Sequence, residues 1–307
     1  MDAMEPFGRN RHMGMVNLMN TVGQIRKILQ WNQEKMAAEL NVTVATIKRW
    51  EAEKGIPSKG IQKQFISICQ RENIDLVEIV EGTIKEQVQE IEKNNPFRKI
   101  LFHGSKSGLR GDILPSSRDR CDFGAGFYMG TEPLQPLTLI CDYDKSVFYI
   151  VSINVNELES IEIPADIEWA MLIAYHRGKL EEIVGTELYD TYAVMDKGYD
   201  IIIGRIANDR MFYVLDNFFQ GNVTDMALVE SLSVLQLGRQ YVAVTQKACN
   251  AIRIEKEIHL LWMEREILKE LSARNRKRGI SLANQICRDY RREGKYFDEI
   301  VESARQK

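Results

Sequence analysis

Two short segments of the chain carry the residue types of a ligand pocket. The first, residues 101–105, reads LFHGS, an apolar strand that ends in a polar triplet. The second begins about twenty residues later, where residues 122–130 read DFGAGFYMG. Gly124 and Gly126 carry no Cβ, so the backbone at this bend can approach a ligand closely. A histidine, glycine backbone and the exposed Tyr128 together describe a pocket for a flat, polar aromatic group.

Alternating strand and helix patterns must position these segments. Four runs rich in β-branched and aromatic residues predict strands: KILFHG, VFYIVSINV, YDIIIGRI and QYVAVT. Apolar residues at helical spacing predict helices over residues 167–180 and 224–237. We therefore predict an α+β fold in which residues 98–255 form a mixed α/β domain.

The two pocket segments and a later strand resemble the ADP-ribosyltransferase fold of the diphtheria-toxin and poly(ADP-ribose) polymerase class. That class is marked by H-G-S on one strand, F-G-x-G-[IF]-Y on another, and a third residue, usually Glu, that opens a later strand. Residues 103–105 and 123–128 match the first two marks, and residues 237–245 (LGRQYVAVT) match the third, with Gln240 at the Glu position. The likeness covers residues 98–255 in three separated blocks. It is nearest to a bacterial subfamily of toxin-like transferase domains, in which YDIIIGRIANDR also finds a likeness.

The resemblance implies that NAD is the substrate, that no metal takes part, and that the nicotinamide–ribose bond breaks through an oxocarbenium-like transition state. His103 would hydrogen-bond the adenosine ribose, and the Gly104 backbone, aided by Ser105, would bind the nicotinamide carboxamide. Tyr128 would stack on the nicotinamide ring, where an aromatic face also favours a cation. Gln240 would hydrogen-bond the ribose 2′-hydroxyl. The predicted catalytic residues are His103, Tyr128 and Gln240, and the predicted NAD-binding residues are His103, Gly104, Ser105, Gly126 and Tyr128.

Two positions depart from the family pattern. At Gln240 an amide keeps the hydrogen bond but lacks the charge of a carboxylate. By resemblance, chain-forming polymerases need the Glu, so we predict transfer of one ADP-ribose unit to a macromolecular acceptor, or NAD hydrolysis. A transferase-like domain that only senses NAD is the alternative. Pro136 stands where polymerase-like members place a Ser, which leaves Tyr143, Phe148 and Phe212 as candidates for the second wall of the nicotinamide pocket.

Residues 22–80 have the pattern of a compact set of short helices. Asn32 and Thr43 stand at N-cap positions, and Ile47 and Trp50 have the spacing of side chains that face a small core. Two short helices joined by a tight turn have helix-turn-helix geometry, in which the second helix can enter a DNA major groove.

The run QIRKILQWNQEKMAAELNVTVATIKRWEAEKGIPSKGIQKQF resembles the phage-repressor type of helix-turn-helix domain. The resemblance implies DNA as a partner, bound by five groove-facing side chains: Thr43, Ala45, Thr46, Lys48 and Arg49. Lysine and arginine there can bind guanine or phosphate. The alternative is a helical module for dimerisation or antitoxin contact that never binds DNA. One such domain is usually too small for tight binding, so a homodimer or a two-site arrangement is expected.

The charge distribution divides the chain into modules. The net charge of −3 is the sum of a basic segment over residues 22–63, an acidic segment over residues 64–264 and a basic segment over residues 265–307. Their net charges are +4, −12 and +5, while the first 21 residues are neutral. Modules with different partners would give this pattern. A surface charge that varies gradually along the chain, without separate partners, would give it as well.

The C-terminal part is predicted to be helical and basic. Ile254 and Ile258 recur at helical spacing and predict a helix over residues 252–271, with His259 in a core or interface. Between Arg274 and Arg292 there are seven basic residues and one acidic residue. This stretch is open to three interpretations: nucleic-acid contact, a solvated face, or a docking surface for an acidic partner.

The helical pattern before the sheet domain ends at Asn94-Asn95-Pro96, because the residue before a proline rarely adopts the α-helical conformation. This change predicts a domain boundary. The predicted domains are a helix-turn-helix domain over residues 16–82, a linker over 83–97, a transferase-like domain over 98–255 and a basic helical extension over 256–307.

Composition excludes several classes of protein. With 44% hydrophobic residues the chain is not a disordered protein, and no apolar run approaches the roughly 18 residues of a membrane span. The five cysteines are scattered and never form CxxC, which argues against a disulfide framework or a zinc site. Without the apolar stretch of a signal peptide, a cytoplasmic protein is expected. Resemblance to toxin-like members favours a bacterial or phage-borne toxin–antitoxin protein with an antitoxin partner.

Overall fold

The computed structural model describes residues 21–52, 54–116, 120–207, 209–235 and 238–306. Within these ranges the chain forms thirteen α-helices, one short 3-10 helix and one sheet of seven strands. The fold is therefore mixed α+β, as the sequence predicted. None of the helices in the described ranges is both long and apolar enough to cross a membrane.

Five helices form the N-terminal unit: α1 (Thr21–Ile28), α2 (Gln33–Glu39), α3 (Val44–Glu51), α4 (Lys59–Arg71) and α5 (Leu76–Asn94). The domain start predicted at residue 16 lies outside the described residues. Asn32 caps α2, because its side chain accepts a hydrogen bond from the backbone N–H three residues later at 2.8 Å. Thr43 caps α3 in the same way at 3.2 Å. Asn41, in the turn between them, has a φ of 51°, so both predicted N-caps and the predicted tight turn are confirmed.

The core of this helical unit takes buried side chains from all five of its helices. Ile47 and Trp50 of α3 are buried, as their spacing predicted, and they pack in one cluster with Phe65. An ion pair joins α1 to α3 beside this core, with Arg26 Nε 2.6 Å from Glu51 Oε1. The apolar face of α3 is thus turned inward, and its polar face remains on the surface.

The second unit is built on one sheet, with strands β1 (Lys99–Ser105), β2 (Phe127–Gly130), β3 (Val147–Ile153), β4 (Ser160–Glu162), β5 (Ile201–Arg205), β6 (Arg239–Ala243) and β7 (Ile252–His259). Their spatial order is β4-β5-β6-β2-β1-β3-β7. All neighbours pair in an antiparallel manner except β4 and β5. The four predicted strands correspond to β1, β3, β5 and β6.

Eight α-helices belong to this second unit: α6 (Leu134–Ile140), α7 (Ile167–His176), α8 (Glu187–Val194), α9 (Asp209–Phe219), α10 (Asp225–Leu235), α11 (Gln246–Asn250), α12 (Trp262–Asp289) and α13 (Phe297–Arg305). The 3-10 helix lies at Glu181–Ile183. Both predicted helices of this domain are present as α7 and α10. Trp169 of α7 is fully buried, and its indole N–H donates to the carbonyl of Arg205 at 3.0 Å, which fixes α7 to the end of β5.

The helix predicted over residues 252–271 is wrong in its first half. Residues 252–259 are β7, which pairs with β3 along its whole length, and α12 begins only at Trp262. Isoleucines at positions 252, 254 and 258 fit both the period of a strand and the i, i+4 spacing of a helix. Hydrogen bonding to the buried β3 decides in favour of the strand, which periodicity alone could not show.

His259 consequently ends a strand and does not lie on a helix. Its Nε2 lies 3.3 Å from Glu257 Oε1, and both side chains are almost half exposed. β7 also continues past residue 255, where the sequence placed the end of the transferase-like domain.

α12 connects the two units. The buried Gln62 of α4 accepts a hydrogen bond from the backbone N–H of Met263 at 3.0 Å. Lys59 and Lys63 of α4 hold their ammonium groups 5.0 and 5.8 Å from the ring centre of Trp262, a distance at which cation–π attraction operates. One hydrophobic cluster runs from the helical unit through α12 to the sheet. The two units therefore share a core.

The segment predicted as a linker, residues 83–97, is largely the second half of α5. The helix ends at Asn94, where the sequence placed its end. Ile84 and Ile91 are buried in the shared cluster. This segment accordingly carries part of the core between the units.

We expect Ile258→Ala to lower the free energy of unfolding by about 2–4 kcal/mol, because it removes a fully buried side chain and leaves a cavity. The control is Ile254→Ala on the same strand, where the side chain is 42% exposed and the expected loss is below about 1 kcal/mol. Urea unfolding followed by circular dichroism measures both. Equal losses at the two positions would contradict the burial pattern of β7.

Candidate active site

The three residues predicted to be catalytic lie on three neighbouring strands. His103 is on β1, Tyr128 on β2 and Gln240 on β6, and these strands are adjacent in the order β6-β2-β1. Gly130 pairs with Phe102 on one side and with Gln240 on the other. All three side chains line one cavity of ≈ 1250 Å³. Segments that are up to about 140 residues apart in sequence therefore meet in one place.

The cavity opens where β1 and β2 stop pairing. Phe102 and Gly130 are the one ladder pair between these strands in the described residues, whereas β1 continues beside β3 to Ser105. His103 spans the gap, since its Nδ1 lies 2.7 Å from the carbonyl oxygen of Tyr128. The side chain of His103 thus satisfies a backbone carbonyl that the neighbouring strand does not reach.

This contact defines the tautomer of His103. A carbonyl oxygen can only accept, so Nδ1 carries the hydrogen and Nε2 carries the free lone pair. Burial lowers the pKa of His103 below its ordinary value, although the hydrogen bond to the Tyr128 carbonyl acts in the opposite direction. The ring also stacks on Phe127, with centroids 4.3 Å apart. His103 is therefore a fixed, neutral imidazole whose Nε2 accepts hydrogen bonds.

Tyr128 offers the cavity its ring and not its hydroxyl. The hydroxyl donates to the carbonyl of Gly124 at 2.8 Å and accepts from the N–H of Phe123 at 3.0 Å. Burial raises the pKa of this phenol well above its ordinary value. A phenol with both roles occupied and a raised pKa does not exchange protons near neutrality, so Tyr128 can serve as a surface for stacking.

Glycines in both motifs are required by close packing. A Cβ on Gly104 would lie 2.9 Å from the carbonyl oxygen of Pro136 in α6, and one on Gly126 would lie 2.5 Å from Val242 in β6. Gly124 has a φ of 69° and packs on the ring of His176. Gly104 lines the cavity, whereas Gly126 and Ser105 are not among its lining residues. The close approach of β2 to β6 therefore requires a glycine at position 126.

Gln240 is almost fully buried at the base of the cavity. Its Nε2 donates to the carbonyl of Arg205 on β5 at 2.9 Å and lies 3.4 Å from Oδ2 of Asp122. The other oxygen of Asp122 accepts from Arg177 Nη2 at 2.6 Å. The guanidinium of Arg177 lies 5.0 Å from the centre of the Phe212 ring. A connected set of polar side chains therefore supports the third motif.

Sequence reasoning missed two of these residues. Asp122 opens the second motif without a function that its sequence signals, and Arg177 lies within the helix predicted over residues 167–180. The signal for Arg177 is its position directly after α7, in which residues 169–174 are apolar and buried. No spacing rule connects residues 122, 177 and 240, because the sheet alone brings them together.

The three residues predicted as candidates for the second wall of the pocket differ in their position relative to the cavity. Phe212 lines the cavity, as do Pro136 and Leu139 of α6. Phe148 is fully buried in β3, and Tyr143 is not among the lining residues. Side chains of α6 and α9 therefore contribute to the cavity wall, and Phe212 is the one of the three candidates that lines it.

The cavity lining is positively charged within an acidic segment of the chain. Among the described residues that line it, four are basic and two are acidic: Lys106, Arg120, Arg177 and Lys179, with Asp122 and Asp216. Residues 64–264 carry a net charge of −12, so this local excess of cations is a property of the cavity and not of its surroundings. Such a lining attracts an anionic ligand.

On α3, the predicted groove-facing residues form an accessible surface. Ala45, Lys48 and Arg49 are exposed, and Thr46 is partly exposed. Thr43 is exposed as well, but its hydroxyl already caps the helix. Lys48 and Arg49 come directly after the buried Ile47, and the helical twist places both of them on the exposed face.

Residues 99–254 match the model of the DUF3990 family, which is described as proteins of unknown function. The match covers just over half of the chain, and the protein therefore belongs to this family. It begins with β1 and ends within β7, one residue inside the predicted 98–255 domain at each end. Every residue that lines the cavity falls within it. No curated protein and no solved structure matches the chain.

We expect His103 to make stability depend on pH. Because its pKa is lowered in the folded state, the unfolded chain takes up a proton as the pH falls through about 6.5 while the folded state does not. The free energy of unfolding should therefore fall between about pH 7 and pH 5, and His103→Asn should reduce this fall.

His259→Asn is the matched control, because the side chain of His259 is almost half exposed at the end of β7. Urea unfolding at several pH values measures all three proteins. The same pH dependence in the wild type and in His103→Asn would contradict a buried, neutral imidazole.

Proposed function

We propose that the protein is an NAD-dependent ADP-ribosyltransferase that transfers a single ADP-ribose unit to a macromolecular acceptor. One observation carries this proposal: His103, Tyr128 and Gln240, named from three separate motifs, line a single cavity on adjacent strands. Chance matches to three short motifs would not be expected to converge in this way.

The cavity has the size and the chemistry for NAD. Ligand sites commonly occupy about 300–1000 Å³, and a dinucleotide is a large ligand. The ring of Tyr128 suits nicotinamide, whose cationic form an aromatic face attracts. The basic lining suits the two phosphates. These properties support NAD as the substrate and do not require a metal ion.

Each residue has a role that its environment allows. His103 presents an acceptor nitrogen, which suits a ribose hydroxyl as its donor. The backbone of Gly104 lines the cavity beneath α6, in the position that the resemblance gives to carboxamide binding. Tyr128 would stack on the nicotinamide ring, and Gln240 would hydrogen-bond the 2′-hydroxyl of the nicotinamide ribose. Fixed partners of this kind lower the barrier through orientation.

The amide at position 240 favours a limited reaction. A carboxylate would stabilise positive charge on the ribose and assist an attacking nucleophile, whereas an amide only forms hydrogen bonds. This supports transfer of one unit, or hydrolysis of NAD, over synthesis of a polymer. An NAD-sensing regulator without turnover is the competing function, and the same amide is the observation in its favour.

We also propose that α3 binds DNA. Exposed Lys48 and Arg49 project from a helix whose opposite face is buried, as groove binding requires. The shared core with the sheet would then hold the cavity at a fixed distance from the DNA. Such a module either brings the transferase to nucleic acid or regulates its own operon, together with an antitoxin partner.

We expect the wild-type protein to release nicotinamide from NAD and to label a macromolecule in a cell lysate when the adenylate half of NAD is labelled. His103→Ala and Tyr128→Ala should lower nicotinamide release by about 100-fold or more, because both position the substrate. Tyr128→Phe keeps the ring and should retain more activity than Tyr128→Ala.

His259→Ala is the matched control, since it makes the same chemical change at an exposed strand end outside the cavity. Binding of NAD without any product, in the wild type as in the variants, would favour the NAD-sensing regulator. Neither binding nor product would end the proposal.

Lys48→Ala/Arg49→Ala should weaken DNA binding and reduce the salt dependence of the binding constant by about one unit for each lost phosphate contact. The control is Lys85→Ala/Lys93→Ala, which removes two exposed cations from α5. Binding to a random duplex at several salt concentrations, followed by fluorescence anisotropy, measures both. An equal effect of the two double variants would show that α3 has no special role.

A further inference from the structure

The hydrogen bonds around Gln240 define the orientation of its amide. Nε2 faces two groups that can only accept, the carbonyl of Arg205 at 2.9 Å and the carboxylate of Asp122 at 3.4 Å. Turning the amide over would place Oε1 against both of them, which is repulsive. The nitrogen therefore faces β5 and Asp122, and the oxygen faces the other way.

Oε1 of Gln240 remains as an acceptor on a residue that lines the cavity. No donor among the described residues hydrogen-bonds this oxygen, although the side chain is only 6% exposed and lines the cavity. A buried acceptor is normally paired, so an unpaired one at a cavity wall is available to a ligand donor. The third motif thus offers a ligand hydroxyl the same function as a carboxylate oxygen, without the charge.

Asp122 is held in position by Arg177, a residue outside the strands that carry the motifs. Arg177 donates to its Oδ1 at 2.6 Å, and the two side chains are 14% and 17% exposed. Arg177 itself follows α7, which Trp169 fixes to the carbonyl of Arg205. The two acceptors that orient Gln240 are therefore both connected to α7.

We propose that Asp122, fixed by Arg177, is a positioning residue that turns the amide of Gln240 so that its oxygen accepts a hydrogen bond from a substrate hydroxyl. This inference rests on the proposed function in taking that hydroxyl to be the 2′-hydroxyl of ribose. It also explains how a glutamine can occupy a position where related transferases usually have a glutamate.

The orientation of Gln240 can be tested with Gln240→Glu. A glutamate at this position would bring a carboxylate to within about 3.4 Å of Asp122 and against a backbone carbonyl, and no hydrogen would lie between them. A glutamate, the usual residue in the transferase class that the third motif resembles, should therefore damage this site. Asp122→Asn in the same chain supplies an amide donor and should relieve the conflict.

The first test needs no substrate. The free energy of unfolding is measured for the wild type, Gln240→Glu, Asp122→Asn and the double variant Asp122→Asn/Gln240→Glu, at about pH 8 and about pH 5. In Gln240→Glu the two carboxylates share a raised pKa, so this variant should be destabilised at the higher pH and should recover relative to the wild type as the pH falls.

The double variant should not show this pH-dependent recovery. Asp216→Asn/Gln240→Glu is the matched control, because Asp216 lines the same cavity but makes no hydrogen bond to Gln240. It should behave like Gln240→Glu alone. Full stability of Gln240→Glu at the higher pH, or equal recovery in the Asp122→Asn and Asp216→Asn backgrounds, would overturn the inference.

The second test measures nicotinamide release from NAD. Asp122→Ala should lower kcat by about 10- to 100-fold with a smaller change in KM, because a misplaced acceptor affects the transition state more than binding. Arg177→Lys keeps the charge and should retain more activity than Arg177→Ala. An unchanged kcat in Asp122→Ala would overturn the positioning role.

The two tests separate this inference from the proposed function. If the wild type neither releases nicotinamide nor transfers label, the proposed function fails, and the unfolding experiment still decides whether Asp122 orients Gln240. If the wild type is active and the unfolding experiment shows no coupling between positions 122 and 240, the inference fails alone.

Discussion

The separation of β1 from β2 after a single residue pair is the constraint on which the rest of the site depends. Two neighbouring strands that stay paired leave no room for a ligand, and two that part leave backbone groups without partners. Here β3 continues to pair with β1, so the sheet remains intact while the gap opens. The imidazole of His103 then supplies the missing partner to the Tyr128 carbonyl. The same contact keeps the gap in shape and fixes which nitrogen of His103 faces a ligand.

The loop before β2 must hold its own shape, because β2 is only four residues long. Phe123 packs so closely on β5 that a Cβ on Gly204 would lie 2.5 Å from its ring, and Gly124 rests on His176 at the end of α7. The ring of His176 is itself held in place, because its Nε2 lies 2.6 Å from Oδ2 of Asp196. Together with the hydrogen bonds of the Tyr128 hydroxyl, these contacts give the FGxGFY motif a packing role.

The sequence predicted the strands and helix caps better than the long-range side-chain contacts that support the site. Strong β-branched runs and N-caps are local signals, and β1, β3, β5, β6 and the N-caps of α2 and α3 were predicted from them. Residues 252–259 carry two periodicities at once, so pairing with β3 had to decide. Asp122 and Arg177 act through contacts across 55 positions of sequence, for which no local pattern exists. Motif residues were therefore predictable, whereas the residues that orient them required the fold.

The shared core limits how the helical unit can act on the site. A regulatory hinge needs a segment with few buried contacts, and the segment predicted as a linker instead buries Ile84 and Ile91. Gln62 and Met263 add a buried hydrogen bond between α4 and α12. Separating the units would expose these buried groups to water. The free-energy cost of that exposure is far higher than the cost of bending a solvent-exposed linker. If α3 binds DNA, it therefore acts by placing the cavity beside nucleic acid, and not by opening or closing it.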